Sequence, residues 1–307
     1  MNQQPKITVV GSFNTDLLVR TPRMPVKGET ILGGDYQTGP GGKGANQAVA
    51  AARLNADVTM VVKIGMDDLG DRAEENLRKE GIHPDFILRT DATHTGVAFI
   101  IVDDEGENMI VVAAGANTIL TPDDVVAARE AIAASHILLV ELESPMETVE
   151  QALRIAHDAG VQTLLNPAPG RPLAPALLAM VDVLTPNETE AQIITGCPIT
   201  DLSEAEAAAR QLLGMGVGTV VITLGVNGAL IVSSDVVKHV PGRRVEVVDT
   251  TGAGDAFNGA LAVALAEGRS MVDAVAFANA AAALQVTKVG TAPAMPYRAE
   301  VEAFLGR

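Results

Sequence analysis

Short apolar, β-branched runs alternate with Ala/Leu-rich stretches of helical period through most of this chain, and that alternation constrains its fold more than any other feature. Strand-like runs fall at 7–10, 58–62, 137–140, 163–165, 181–184 and 219–224. Helical stretches at 44–54, 68–80, 146–159 and 204–214 separate them, and three more, at 253–266, 271–286 and 297–304, close the chain. Repeated β-α units with short connections imply an α/β fold, a doubly wound and mostly parallel sheet flanked by helices. Ligands of such a sheet bind outside the carboxyl ends of its strands. No linker or internal repeat divides the chain, so 1–307 reads as a single domain, and 48% hydrophobic residues supply a large core.

Two regions break the rhythm. Residues 16–38 have no helical period and carry Pro22, Pro25 and several glycines. Residues 95–114 read as a hairpin, with apolar runs at 96–102 and 108–113 around the turn Asp103-Asp-Glu-Gly106. Both are expected to form a small β-sheet outside the main one. A strand pair is marginal alone in water. That sheet should therefore act as a lid over a site, pair with another subunit, or do both.

Charge removes several classes of partner. With 22 basic and 38 acidic residues the net charge is −16, and no basic patch or arginine run is present. Nucleic acid and anionic membranes are thus poor partners. One cysteine, Cys197, excludes an internal disulfide or a cysteine metal cluster, and the histidines are scattered. The polar start at 1–6 runs directly into a strand, so no signal peptide is expected, and no apolar run is long enough to span a bilayer. A cytoplasmic protein is the reading. Six Phe, two Tyr and no Trp leave little for aromatic stacking on sugars or bases.

Chemistry concentrates in two glycine clusters. Asp249-Thr-Thr-Gly-Ala-Gly-Asp255 runs into the Ala-rich helix at 253–266. The first N–H groups of a helix are unpaired and carry partial positive charge. Gly252, Ala253 and Gly254 would let an anion approach that backbone closely. A carboxylate in an anion trap, Asp255, fits a base that takes a proton from a hydroxyl attacking a phosphoryl group. It also fits an ordinary acidic residue in a first helical turn. The second cluster, Gly39-Pro-Gly-Gly-Lys-Gly-Ala-Asn46, opens the helix at 44–54. It matches Gly-x-Gly-x-x-Gly, but it does not directly follow the first strand, as a dinucleotide fingerprint should. It also departs from a P-loop, because Gly44 stands where Ser or Thr should hold Mg²⁺. It reads as a glycine-rich helix entry or as a polyol pocket in which Gly41, Gly42, Lys43 and Asn46 donate to hydroxyls.

These two clusters, more than 200 residues apart and in this order, resemble the two signatures of the ribokinase/PfkB family of carbohydrate kinases. Asn187-Glu-Thr-Glu190 between them resembles the family's N-x-x-E motif, and Gly11-Ser-Phe-Asn-Thr-Asp16 its first-strand sugar motif. The resemblance covers essentially the whole chain. It implies ATP-dependent phosphorylation of D-ribose at O5, with Asp255 as general base and the Gly252, Ala253 and Gly254 backbone as anion hole. It implies a sugar held by Asn14, Asp16, Gly42, Lys43, Asn46 and Glu143. ATP would lie against Asn187, Thr223, Gly225, Gly228, Gly254 and Asn279, with Mg²⁺ entering with ATP and meeting Glu190 through water. A monovalent cation, K⁺, would sit beside the anion hole on the Asp249 side chain and the carbonyls of Thr251, Gln285, Lys288 and Gly290. The family often has Ser near Ala294, and alanine supplies no side-chain oxygen. The two irregular segments match the family's lid, which implies a homodimer joined through lid strands.

The residues alone leave other readings open. Asn187 and Glu190 also form a helix capping box, Glu143 an exposed loop acid, and Asn279 a polar helix residue. A kinase for 2-deoxyribose, a ketohexose or a nucleoside would share the motifs. So would a sugar sensor that has lost catalysis, whereas a dinucleotide oxidoreductase would use the glycine fingerprint.

Overall fold

A computed structural model describes residues 4–306 of the chain. Thirteen strands are present among the described residues: β1 (Lys6–Val10), β2 (Asn14–Thr21), β3 (Tyr36–Gly41), β4 (Asp57–Gly65), β5 (Ile87–Thr90), β6 (Gly96–Asp103), β7 (Asn108–Ala113), β8 (Ile137–Val140), β9 (Gln162–Leu165), β10 (Val183–Leu184), β11 (Thr219–Thr223), β12 (Ala229–Val232) and β13 (Val237–Val240). Nine form one sheet in the order β13-β12-β11-β10-β9-β8-β1-β4-β5. Every pairing from β5 to β11 is parallel, and only β12 and β13 add antiparallel at one edge.

Burial on both faces explains the apolar strand runs. In β8 all four residues are buried, Ile137 and Leu139 against one core and Leu138 and Val140 against the other. Successive side chains of a strand point to opposite faces, so a run without alternation needs helices on both sides. Helices Lys43–Arg53, Ala253–Ala266 and Met271–Gln285 cover the first face. Helices Met146–Ala159 and Leu202–Gly214 cover the second.

Contact between two helices of the first face is unusually close. A Cβ on Gly259 would lie 2.6 Å from the Ala50 Cβ and 2.7 Å from the Gln47 carbonyl oxygen. Gly259 is one helical turn beyond Asp255. The small residue therefore lets the helix bearing Asp255 press against the helix bearing Asn46 and Gln47.

The remaining four strands form a separate sheet, β3-β2-β6-β7. β2 runs parallel to β6, and its other neighbour β3 is antiparallel, as is β7 to β6. This is the expected small sheet, with its hairpin turn at Asp103–Gly106. It joins the body where Asn14 pairs with both Gly41 and Gly96.

Several elements differ from the sequence expectation. β2 starts at Asn14 rather than within 16–38, so the first sugar motif belongs to the base of the small sheet. The run at 181–184 reduces to Val183–Leu184, the two residues with ladder partners on both sides. β5, the β12-β13 hairpin and the helices Pro122–Ala127, Arg129–Ala133, Pro175–Leu178 and Glu188–Thr195 had no strong periodic signal, because each is short. Among the described residues no helix is long and apolar enough to cross a membrane.

Candidate active site

The loops leaving the carboxyl ends of β1, β8, β9 and β10 meet the starts of helices Lys43–Arg53 and Ala253–Ala266. The dihedrals at Gly252 are φ 86° and ψ 2°, a left-handed geometry in which glycine avoids the Cβ clash. The Ala253 amide that follows donates to the Thr250 carbonyl at 3.3 Å, which closes the turn at the helix start. Asp255 follows in the first turn, 6% exposed.

Asp255 is clamped from one helix. Asn46 Nδ2 donates to its Oδ2 at 2.9 Å, and Gln47 Nε2 donates to its Oδ1 at 3.0 Å. Burial pushes the Asp255 carboxyl above its ordinary range, while Lys43, Gln47 and Asn46 oppose the push and Glu143 adds to it. Lys43 is half-buried, which works against its charge. The surrounding carboxylates of Asp255, Glu143, Glu141 and Glu190 outweigh that and hold the ammonium charged.

A ring of hydrogen bonds backs this clamp. Gln47 Nε2 also donates to Asn166 Oδ1 at 3.1 Å, and Asn166 Nδ2 donates to the Thr185 carbonyl at 3.2 Å. Thr185 Oγ1 donates to Asn258 Oδ1 at 2.5 Å, and Asn258 Nδ2 donates to the Gly254 carbonyl at 2.8 Å. The ring thus returns to the residue next to Asp255. Gln47, Asn166, Thr185 and Asn258 are all buried. Sequence reasoning missed all four. Polar side chains buried at spacings of 19 to 119 residues leave no local pattern.

The expected sugar residues gather beside this clamp. Asn14 Oδ1 accepts from Asn117 Nδ2 at 2.9 Å, and its Nδ2 lies 3.5 Å from Glu143 Oε2. Glu143 Oε2 also accepts from Ser12 Oγ at 2.5 Å and from the Lys43 amide at 3.1 Å, so Glu143 is a loop acid fixed in place. Glu141, fully buried behind it, accepts from the Ser12 amide at 2.6 Å and the Glu143 amide at 2.5 Å. Burial and the neighbouring Glu143 push the Glu141 carboxyl well above its ordinary range. Asp16 Oδ2 accepts from Thr291 Oγ1 at 3.0 Å. Burial pushes Asp16 up to about 6, against the Thr291 hydrogen bond and with help from Glu143 and Asp255. A Cβ on Gly41 would strike the Asp16 carboxylate, and one on Gly42 the Asn14 amide at 2.6 Å, so both glycines are required here. Asn46 Oδ1 is buried without a hydrogen-bond partner among the described residues. It is a free acceptor on the same side-chain amide that holds Asp255.

Of the expected nucleotide residues, Asn187, Thr223, Gly225 and Gly228 lie at or beyond the carboxyl ends of β10 and β11. Asn187 and Thr223 form a β-bridge, and Thr223 leads into the turn Gly225–Asn227. Asn187 caps helix Glu188–Thr195: its side chain accepts from the Glu190 amide at 2.8 Å, and Glu190 accepts from the Asn187 amide at 2.9 Å. The capping reading is therefore realised, and burial pushes the Glu190 carboxyl upward. A Cβ on Gly228 would lie 2.2 Å from the Val240 carbonyl, so this turn packs tightly on β13. Asn279 donates to that same carbonyl at 3.2 Å and to the Pro241 carbonyl at 3.4 Å, which commits its amide to holding the loop.

The residues expected around a monovalent cation also converge, and several of their oxygens already accept hydrogen bonds from protein donors. Asp249 Oδ1 accepts from the Thr251 amide and Oδ2 from the Gly290 amide, both at 2.9 Å. The carbonyls of Thr251 and Gly290 each accept from the side chain of Gln285, and the Gln285 carbonyl accepts from the Lys288 amide at 3.1 Å. Lys288 Nζ pairs with Glu300 at 2.7 Å. Ala294 is buried and offers no side-chain oxygen.

Residues 4–298 match the model of the pfkB family carbohydrate kinase. The chain belongs to the pfkB family of carbohydrate kinases. It is 43% identical over 299 residues to the ribokinase of Haemophilus influenzae, covering 97% of this chain and 98% of that one. It is 40% identical to the deoxyribokinase of Salmonella typhi, over 94% of this chain and 95% of that one. Among solved structures it resembles Arabidopsis thaliana ribokinase complexed with ribose and ATP, with a TM-score of 0.92, 34% identity, and coverage of 99% and 100%. Membership in the family removes the oxidoreductase reading of the glycine fingerprint.

Proposed function

We propose that this chain transfers the γ-phosphoryl group of ATP to O5 of D-ribose, giving ribose 5-phosphate and ADP. The observation that carries the reading is Asp255, a buried carboxylate at a helix start whose two oxygens are held by Asn46 and Gln47. The relationship to ribokinases along nearly the whole chain supports it.

Asp255 takes the O5 proton as the O5–phosphorus bond forms and the bond from the γ-phosphorus to the bridging oxygen breaks. Amides of Gly252, Ala253 and Gly254 stabilise charge on the phosphoryl oxygens, and Lys43 adds a fixed positive charge. Phosphoryl transfer needs positioning and electrostatics more than covalent help. Asp16, Asn14 and Glu143 receive vicinal ring hydroxyls, with donors from Gly42, Lys43 and Asn46; the unpartnered Asn46 Oδ1 accepts one hydroxyl proton. ATP lies along Asn187, Thr223, Gly225, Gly228 and Gly254, near Asn279. Glu190 would hold the Mg²⁺ of the ATP complex through water, and that ion would supply charge neutralisation on the phosphates. The whole chain works as one kinase domain, with 16–38 and 95–114 as its lid. A homodimer through lid strands is supported by exposed apolar residues there, including Phe99, Met109 and Val111. The cytoplasm, where ATP is supplied, is its compartment.

The test is ATP-dependent phosphorylation of ribose, 2-deoxyribose, fructose and adenosine side by side. Ribose should lead. The likeness to a deoxyribokinase makes 2-deoxyribose the competing substrate, and turnover led by it would mean that these contacts do not require the 2-hydroxyl. Asp255→Asn should lose about 10²–10⁴-fold in kcat while ribose and ATP still bind; turnover like that of the unaltered enzyme would remove Asp255 as the base.

A further inference from the structure

Gln285 is the last residue of helix Met271–Gln285, and its side chain is fully buried. Its Nε2 donates to the Thr251 carbonyl at 2.5 Å and to the Gly290 carbonyl at 3.0 Å. A primary amide nitrogen carries two hydrogens, so both are spent on this pair. The two carbonyls lie on different loops, 39 residues apart in sequence. One belongs to the residue just before Gly252, and the other to the loop that follows the helix. A Cβ on Gly252 would be 3.5 Å from this same nitrogen. The Gln285 amide therefore abuts the turn that forms the anion hole.

The orientation of that amide is set by chemistry. Turned over, it would place Oε1 against two carbonyl oxygens and lose both hydrogen bonds. As it stands, the nitrogen is between the two oxygens that a cation would need. The Asp249 carboxylate already accepts from two backbone amides, and Ala294 contributes nothing. A nitrogen with two N–H donors meets the same geometric demand as a small cation: it draws carbonyl oxygens together from separate loops.

We infer that the Gln285 side-chain amide takes the place of a monovalent cation in this chain, tying the anion-hole turn to the Gly290 loop, so that the kinase works without one. This rests on the proposed role of the Gly252–Gly254 backbone. A bound cation would lend the anion hole a full charge, whereas the amide lends only partial charge but holds the turn permanently. Activity then becomes insensitive to the surrounding alkali ions.

The test compares the unaltered enzyme, Gln285→Ala and Gln285→Met in choline chloride and in potassium chloride at equal ionic strength, without sodium. Turnover with ribose and ATP, and the melting temperature without substrates, are both read. The unaltered enzyme should change less than about twofold in turnover and should melt at the same temperature in both salts. Gln285→Ala should lose about tenfold in choline while still unfolding cooperatively, from weaker oxyanion stabilisation. Gln285→Met, which keeps the volume without the donor, should lose activity in both salts. A saturable rise of fivefold or more for the unaltered enzyme in potassium, or a potassium-specific rise in its melting temperature, would overturn the inference. So would Gln285→Ala as active in choline as the unaltered enzyme. Absence of turnover in every salt and on every sugar would count against the proposed kinase reaction, and the melting comparison would still decide this point.

Discussion

Burial opposes a charge on Asp255, and two donors that favour one come from a helix more than 200 residues earlier in the chain. A hydrogen bond to a charged group is worth about 1.5–3 kcal/mol. Gln47→Met, which keeps size and removes the donor, should therefore lower kcat by about 10- to 100-fold with little change in the ribose KM. Loss of a donor to a carboxylate raises its pKa, so the acidic limb of the kcat–pH profile should also move to higher pH. An unmoved limb would mean that Gln47 serves packing alone. Asp16, pushed up to about 6, gives a second test. Ionised, it accepts two hydroxyls; protonated, it loses that capacity. The ribose KM should rise as pH falls through about 6, with the ATP KM steady. The sign for stability is opposite. The folded state keeps this proton while the unfolded chain releases it near pH ~4, so this group disfavours folding progressively as pH rises from ~4 to ~6. Chemical denaturation across that window, with and without Asp16→Asn, reads the effect.

Two helices, Lys43–Arg53 and Ala253–Ala266, form the working unit of the site. Each begins at a glycine of positive φ, Gly42 at 87° and Gly252 at 86°, and each presents its first turn to the same space. Their separation is set by Gly259 against Ala50 and Gln47. Gly259→Ala forces a methyl into that contact, and overpacking of this kind costs about 1–3 kcal/mol. The melting temperature should fall by several degrees, and kcat should fall as well, because Asn46 and Gln47 shift relative to Asp255. Retained kcat at a reduced melting temperature would show that the clamp tolerates a wider helix pair.

At the scale of the whole molecule, the small sheet and the large one meet at the sugar residues. Asn14 starts β2, Gly41 ends β3 and Gly96 starts β6, so a movement of the small sheet pivots on the residues proposed to grip ribose. The outer strand β7 is exposed along its length, with Met109 54% and Val111 66% exposed. An apolar edge strand left in water invites pairing. Val111→Lys should convert the proposed homodimer to a monomer in sedimentation and raise the ribose KM, because an unpaired lid closes less well. A dimer that survives Val111→Lys would place the subunit contact elsewhere.

The amino-acid sequence by itself determined the parallel sheet, because strands buried on both faces must be apolar throughout, as β8 is. It also marked the two glycine-rich helix starts, since only small residues admit an anion or a sugar to the backbone. The hairpin at 95–114 was legible for the same local reason, a polar turn between apolar runs. Gln47, Asn166, Thr185 and Asn258 were not, because a buried polar ring is specified by partners distant in sequence, and each residue alone looks like an ordinary polar residue. Glu141 was hidden in the same way, two residues from Glu143, which the family resemblance alone singled out. Gln285 shows the limit most clearly. The family resemblance implied a backbone carbonyl for a cation there, and only the tertiary fold brought its side-chain nitrogen between the carbonyls of Thr251 and Gly290. Local pattern decides which elements form and where small residues must stand; long-range packing decides which side chain fills the space between them.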